Sequence, residues 1–114
     1  MIQRIQPGKR YSEAVIANGL VFLSGMVPEH TGEDATAQTA NVLAQIDALL
    51  AEVGISKSRI VDATIYLADM ADYNAMNTAW DLWVEAGQAP ARATVEARLA
   101  NPEWKVEIKV TAAL

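Results

Sequence analysis

The chain of 114 residues contains no cysteine and a single histidine, His30. Without cysteine there is no disulfide, no thiol nucleophile and no thiolate zinc ligand, and nothing in thiol usage points to an oxidising compartment. One imidazole without cysteine cannot assemble the usual transition-metal ligand sets, and it supplies one histidine base per subunit. Positive charge is also scarce, with 9 Lys and Arg against 14 Asp and Glu for a net charge of −5. Affinity for a phosphate backbone comes largely from Lys and Arg, so no nucleic-acid partner is expected. The only basic clusters, Lys9-Arg10 and Lys57-Ser58-Arg59, are small.

Long apolar runs are missing as well, and none approaches the roughly 18 residues of a membrane span. Residues 1–14 lack the basic-apolar-small order of a secretory signal. No linker, repeat or low-complexity stretch divides the chain. The expectation is one cytoplasmic domain over residues 1–114 with no membrane partner. At this length folding buries roughly two-thirds of the surface of the unfolded chain, enough for one ordinary core.

What is present is strongly patterned. Ala14 to Ile16 and Leu20 to Ser24 are β-favouring runs joined through Asn18-Gly19, a dipeptide suited to a tight hairpin. From about Asp34 to Val53, Val42, Leu43, Ile46, Leu49, Leu50 and Val53 recur at helical spacing, and Gly54 marks the stop. Val61, Ala63, Ile65 and Leu67 then alternate with Asp62, Thr64 and Tyr66 as in a two-faced strand. Asp72 is placed to cap a second helix, in which Tyr73, Met76, Trp80, Trp83 and Val84 form one stripe before Gly87. Two further strands follow, Ala93 to Leu99 and Trp104 to Val110, with Asn101-Pro102 reading as a hairpin between them. With a first strand near Ile2 to Ile5, this order predicts an α+β sheet with two helices on one face. The other face is expected to show Thr64, Tyr66, Thr94, Glu96, Arg98, Lys105, Glu107 and Lys109, a surface for water or a second subunit.

Arg92 follows Pro90 at the start of a strand, where a guanidinium fork fits either a carboxylate ligand or a structural ion pair with an acidic neighbour. Glu107, on the polar side of the last strand, is suited to orienting water or accepting a proton, or to pairing with Lys105 or Lys109. Gly25 allows a ligand close to backbone N–H groups or makes a turn. Ser24 has no histidine nearby, so a Ser-His-Asp hydrolase is not expected. Asn77, Tyr11 and His30 fit loop or packing roles as well as binding.

Several stretches together resemble the reactive intermediate deaminases, the Rid or YjgF family. They are Tyr11-Ser12-Glu13-Ala14-Val15, Leu23-Ser24-Gly25-Met26-Val27-Pro28, Asn77, and above all Ala89 to Leu99 with Lys105-Val106-Glu107-Ile108. The Asp62 to Asp69 and Met76 to Trp83 segments are most like the short YoaB-like members. The resemblance implies a chorismate-mutase-like α+β fold, related to the ferredoxin-like folds, and a homotrimer with pockets at subunit interfaces. It implies hydrolysis of 2-imino or 2-enamino acids of the 2-aminoacrylate type to 2-keto acids and ammonia, with no cofactor and no metal. By the same resemblance Arg92 and Glu107 are the catalytic pair, Arg92 holding the substrate carboxylate. Tyr11, Ser24, Gly25, Asn77 and Thr94 shape the substrate site. A non-catalytic trimer that binds small carboxylates is the alternative, and RNA cleavage ranks last. The chain departs from the family pattern at Lys9-Arg10, where a Gly-Pro pair is usual, and at Thr94, where a cysteine is frequent.

Overall fold

A computed structural model describes residues 1–114. The strands are β1 (Ile2–Pro7), β2 (Ser12–Ala17), β3 (Leu20–Leu23), β4 (Ile60–Leu67), β5 (Ala91–Glu96) and β6 (Val106–Ala113), and the helices are α1 (Ala35–Glu52) and α2 (Tyr73–Trp83). They form a single α+β domain whose mixed sheet has the order β1-β2-β3-β6-β4-β5. The shortest dimension, 20 Å, accommodates one sheet and one helical layer.

The β2–β3 hairpin turns on Asn18 and Gly19 at φ 52° and 77°, the left-handed pair that a two-residue turn requires. Helix α1 starts where the Asp34 side chain accepts from the Ala37 N–H at 2.8 Å. It ends in a Schellman arrangement, with Gly54 N donating to Ala51 O and Ile55 N to Leu50 O. Val42, Leu43, Ile46, Leu49 and Leu50 are buried against Ala63, Ile65 and Leu67 of β4 and Val106, Ile108 and Val110 of β6 in one core. Each of the Val, Leu and Ile side chains contributes about 1.5–3 kcal/mol by leaving water. The buried Gln38 is fully satisfied: Nε2 donates to Glu33 O and Glu103 O, and Oε1 accepts from Lys105 N. It thereby pins the chain just before Glu107.

Four local expectations are corrected. First, β5 and β6 are not hairpin partners, because β4 lies between them, parallel to β5 and antiparallel to β6. The Asn101-Pro102 signal marks a turn in a connection that crosses the end of β4, and Ala97, Leu99 and Trp104 lie outside both strands. Second, Val61 is exposed, because a register shift between Ile60 and Asp62 inserts it as the extra residue of a bulge and leaves Ile60 buried. Third, the side-chain cap near α2 comes from Asp69, which accepts from Ala71 N at the preceding turn, whereas Asp72 makes no cap bond. Fourth, α2 ends at Trp83, and Gly87 with φ 76° belongs to the following loop.

Candidate functional site

The register fixes which way the site residues point. Arg92 pairs with Ala63 and Thr94 with Ile65, so Arg92 and Thr94 share the helix side of the sheet with buried core residues. This corrects the expected polar face: Thr94 and Glu96 stand on the helix side of β5, and Ala93 and Val95 take their places on the open face. The reason is that period-two alternation defines two faces without saying which is covered. On β6, Glu107 pairs with Tyr66 and Lys109 with Thr64, on the open face.

Strand β5 is an edge strand, and the side chains around Arg92 on the helix side come from α2. Arg92 Nη1 donates to Asn77 Oδ1 at 2.8 Å and lies 4.0 Å from Met76 Sδ, while Nη2 donates to Tyr73 Oη at 3.3 Å. The guanidinium carbon sits 5.0 Å from the Trp80 ring centroid and 6.0 Å from that of Tyr73. A cation over an aromatic face is worth about 0.5–2 kcal/mol. All of these partners are neutral. They orient the fork without cancelling its charge, so the structural ion pair considered from sequence is absent within the chain. Tyr73, read as part of a core stripe, is instead exposed and holds Arg92; Met76 and Trp80 are buried as expected. Two residues along β5, Thr94 Oγ1 is buried with no hydrogen-bond partner, which for a hydroxyl costs about 1–3 kcal/mol unless something else satisfies it.

A second cluster forms across β3 and β6. The register slips by one residue between the Phe22–Thr111 and Met26–Ile108 pairs, so the chain bulges at Leu23 to Gly25. The Glu107 carboxylate lies against Gly25: a Cβ built there would collide with Glu107 Oε2 and stand 3.1 Å from its Cδ. Ser24 Oγ donates to Ser12 O at 2.6 Å, which commits its hydrogen to the strand below. Lys109 Nζ donates to Leu23 O at the bulge, and partial desolvation of a side chain that stays exposed at its rim lowers its pKa from the ordinary lysine value. Gly25, Glu107, Tyr66, Lys109, Arg98 and Leu99 line an open cleft of about 480 Å³, within the range of small-ligand sites. Lys109 shares the open face of β6 with Glu107, as their two-residue spacing predicts, and the pairing of β4 between β5 and β6 brings Arg98 to the same cleft.

Tyr11 forms a third group at the β1–β2 turn, exposed, with its carbonyl accepting from Gly8 N and with Lys9, Arg10 and Glu13 around it. Strand β2 is four inter-strand steps from β5, roughly 19 Å at the usual spacing. The structure thus joins Arg92 to Asn77, with Thr94 two residues on along the same face of β5, and sets Glu107 against Gly25, the chain neighbour of Ser24. It does not bring the two groups, or Tyr11, into one intrachain pocket.

The family model described as "Endoribonuclease L-PSP" matches residues 1–114. Among curated proteins, the RutC family protein YoaB of Escherichia coli (strain K12) is 56% identical over 113 residues, covering 99% of this chain and 98% of YoaB. Reactive Intermediate Deaminase A, chloroplastic, of Arabidopsis thaliana is 36% identical over 110 residues, covering 91% of this chain and 58% of that protein. Among solved structures, a member of the YjgF protein family from Neisseria meningitidis is 64% identical with a TM-score of 0.96, covering 99% of this chain and 94% of that one.

Proposed function

The chain belongs to the endoribonuclease L-PSP family, which is the YjgF or RutC family, and on that premise we propose that it hydrolyses reactive 2-imino and 2-enamino acids to 2-keto acids and ammonia. The observation that carries the reading is Arg92, a guanidinium oriented by Asn77, Tyr73 and Trp80 with its charge uncompensated. Such a group is built to receive an anion, and a planar fork matches a carboxylate. The deaminase name of the plant relative supports the reaction class.

In the proposed reaction the enamine first tautomerises to the imine by taking a proton at carbon. Water then adds to the imine carbon, forming a C–O bond, and the resulting carbinolamine expels ammonia as the C–N bond breaks. Glu107 takes a proton from the attacking water and passes it to the imine nitrogen as the carbinolamine forms, then takes the hydroxyl proton and delivers it to the same nitrogen as the C=O bond forms and ammonia leaves. The imine is already electrophilic, so orientation and charge placement supply most of what is required. The missing Cβ of Gly25 admits the Glu107 carboxylate against the backbone, Thr94 backs the Arg92 side of the site from below the surface, and Ser24 and Tyr11 shape the remaining wall. No cofactor or metal takes part.

Arg92 and Glu107 lie on different faces of one chain, so the complete site needs a second copy. A ring of identical subunits joins one patch of each to a different patch of the next, as two complementary half-sites require. We assign a homotrimer in which Arg92 of one subunit meets Gly25 and Glu107 of its neighbour. The open face, with Phe22, Val61 and Val95 exposed among polar residues, is suited to that contact.

The test is turnover of 2-aminoacrylate or 2-iminopropionate by purified protein. Acceleration that is lost in Arg92→Lys supports the proposal; the buffer rate across several imino acids would leave only a carboxylate-binding trimer, which keeps Arg92 without chemistry. The RNA-cleaving activity named in the family description is disfavoured here by the net charge of −5 and the single histidine. Salt-sensitive RNA binding at low ionic strength would revive it.

A further inference from the structure

We propose that the Glu107 cleft selects imino acids bearing a second carboxylate, the 2-imino dicarboxylic acids, through Arg98 and Lys109. This inference rests on the deaminase reading of the same site.

The charges in the cleft do not balance. Glu107 contributes one negative charge, and Arg98 and Lys109 contribute two positive ones. Neither cation is ion-paired in the chain. Arg98 has no hydrogen-bond partner, and Lys109 spends one of its three N–H groups on Leu23 O, a neutral acceptor. Glu96, on the far side of Arg98 in the adjoining cleft, is engaged with Met70 N instead. Tyr66 adds a neutral wall.

Arg92 already accounts for the carboxylate next to the imine carbon, and it lies on the other half-site. A monocarboxylic substrate would therefore leave the Arg98–Lys109 end of the cleft empty of anions. A side-chain carboxylate would supply the missing counter-charge, in a cleft where solvent is partly excluded and charge-assisted hydrogen bonds are stronger than between neutral groups. Lys109 is the more informative of the two cations, because its Nζ is held on the wall of the cleft by Leu23 O at the bulge. Arg98, at the mouth on the segment after β5, is exposed and free to close over a ligand as a planar fork.

The experiment compares two imines generated in situ, 2-iminosuccinate from aspartate and 2-iminopropionate from alanine, as a ratio of kcat/KM values. In parallel, oxaloacetate and pyruvate binding is measured by calorimetry. The expected ratio favours the dicarboxylic substrate about tenfold or more, in line with one added charge-assisted hydrogen bond. Arg98→Gln should collapse that ratio toward unity and weaken oxaloacetate more than pyruvate. If 2-iminopropionate is hydrolysed but the ratio is at or below unity and does not move in Arg98→Gln, the dicarboxylate inference is overturned while the deaminase reading stands. If neither imine is accelerated, the deaminase reading falls, and the calorimetry still decides the inference: oxaloacetate binding no tighter than pyruvate overturns it.

Discussion

Arg92 and Glu107 stand on opposite faces of the same sheet, Arg92 in register with the buried Ala63 and Glu107 in register with Tyr66 on the open side. Two strands of one chain cannot bring them to a single small ligand, because β4 separates β5 from β6 and side chains on opposite faces diverge. The family function proposed for this chain therefore depends on assembly, and the individual residues can be tested according to the half-site each occupies.

On the arginine half-site, Arg92→Lys keeps the charge but loses the fork and its stacking on Trp80. Losing a charge-assisted hydrogen bond costs about 1.5–3 kcal/mol, so binding of a keto-acid product should weaken by roughly 10- to 100-fold. Asn77→Ala should show a smaller loss, since Asn77 only orients the guanidinium. Calorimetric titration with pyruvate checks both, and equal losses would contradict the distinction.

On the other half-site, Gly25→Ala places a methyl group into the position of the Glu107 carboxylate. The carboxylate is the end of a flexible side chain and can swing away, so the fold should survive with a loss near the lower end of the roughly 1–3 kcal/mol typical of overpacking. Imine turnover should nevertheless fall about tenfold or more, because a displaced base loses its geometry. Thermal melting together with a rate assay separates the two effects.

Lys109 gives a pH signature. Its pKa is lowered in the folded chain by desolvation, so between that value and the ordinary 10.5 the unfolded state holds more protons. Stability contributed by this group therefore rises as pH increases through that window, and the full cost is present below it. Lys109→Met removes that cost, a small one because the side chain keeps much of its exposure to solvent. Its stability advantage over the wild type should be greatest near neutral pH and shrink as the pH approaches 10, as read by chemical denaturation at several pH values.

Much of the fold was legible because its signals are local. Asn18-Gly19 needs two positive φ angles, and Gly54 needs one, and each occurs where the residue type permits it. The helical stripe of Val42 to Leu50 and the alternation of Ala63, Ile65 and Leu67 both mark the core. The β5–β6 arrangement was misread because Asn101-Pro102 reports a turn, while the identity of a strand's neighbour is settled by distant pairing. The face of Thr94 was misread for a related reason: Ala93 and Val95 look like core residues, yet in the single chain they point to the open side. The family motif singled out Arg92, Asn77, Gly25 and Glu107, and the structure sets Arg92 against Asn77 and Glu107 against Gly25. Lys109 beside Glu107 follows from their two-residue spacing on β6, whereas the division of Arg92 and Glu107 between two faces and the approach of Arg98 depend on sheet order.

The central claim is a site shared between subunits, and subunit mixing tests it most directly. Arg92→Ala and Glu107→Gln proteins, each inactive alone, are dissociated together in equal amounts and reassembled, with exchange verified by native mass spectrometry. Random assembly gives about one quarter of the interfaces an intact Arg92 facing an intact Glu107, so activity should return to roughly a quarter of the wild-type level. Mixed assemblies that form but stay inactive would contradict the account.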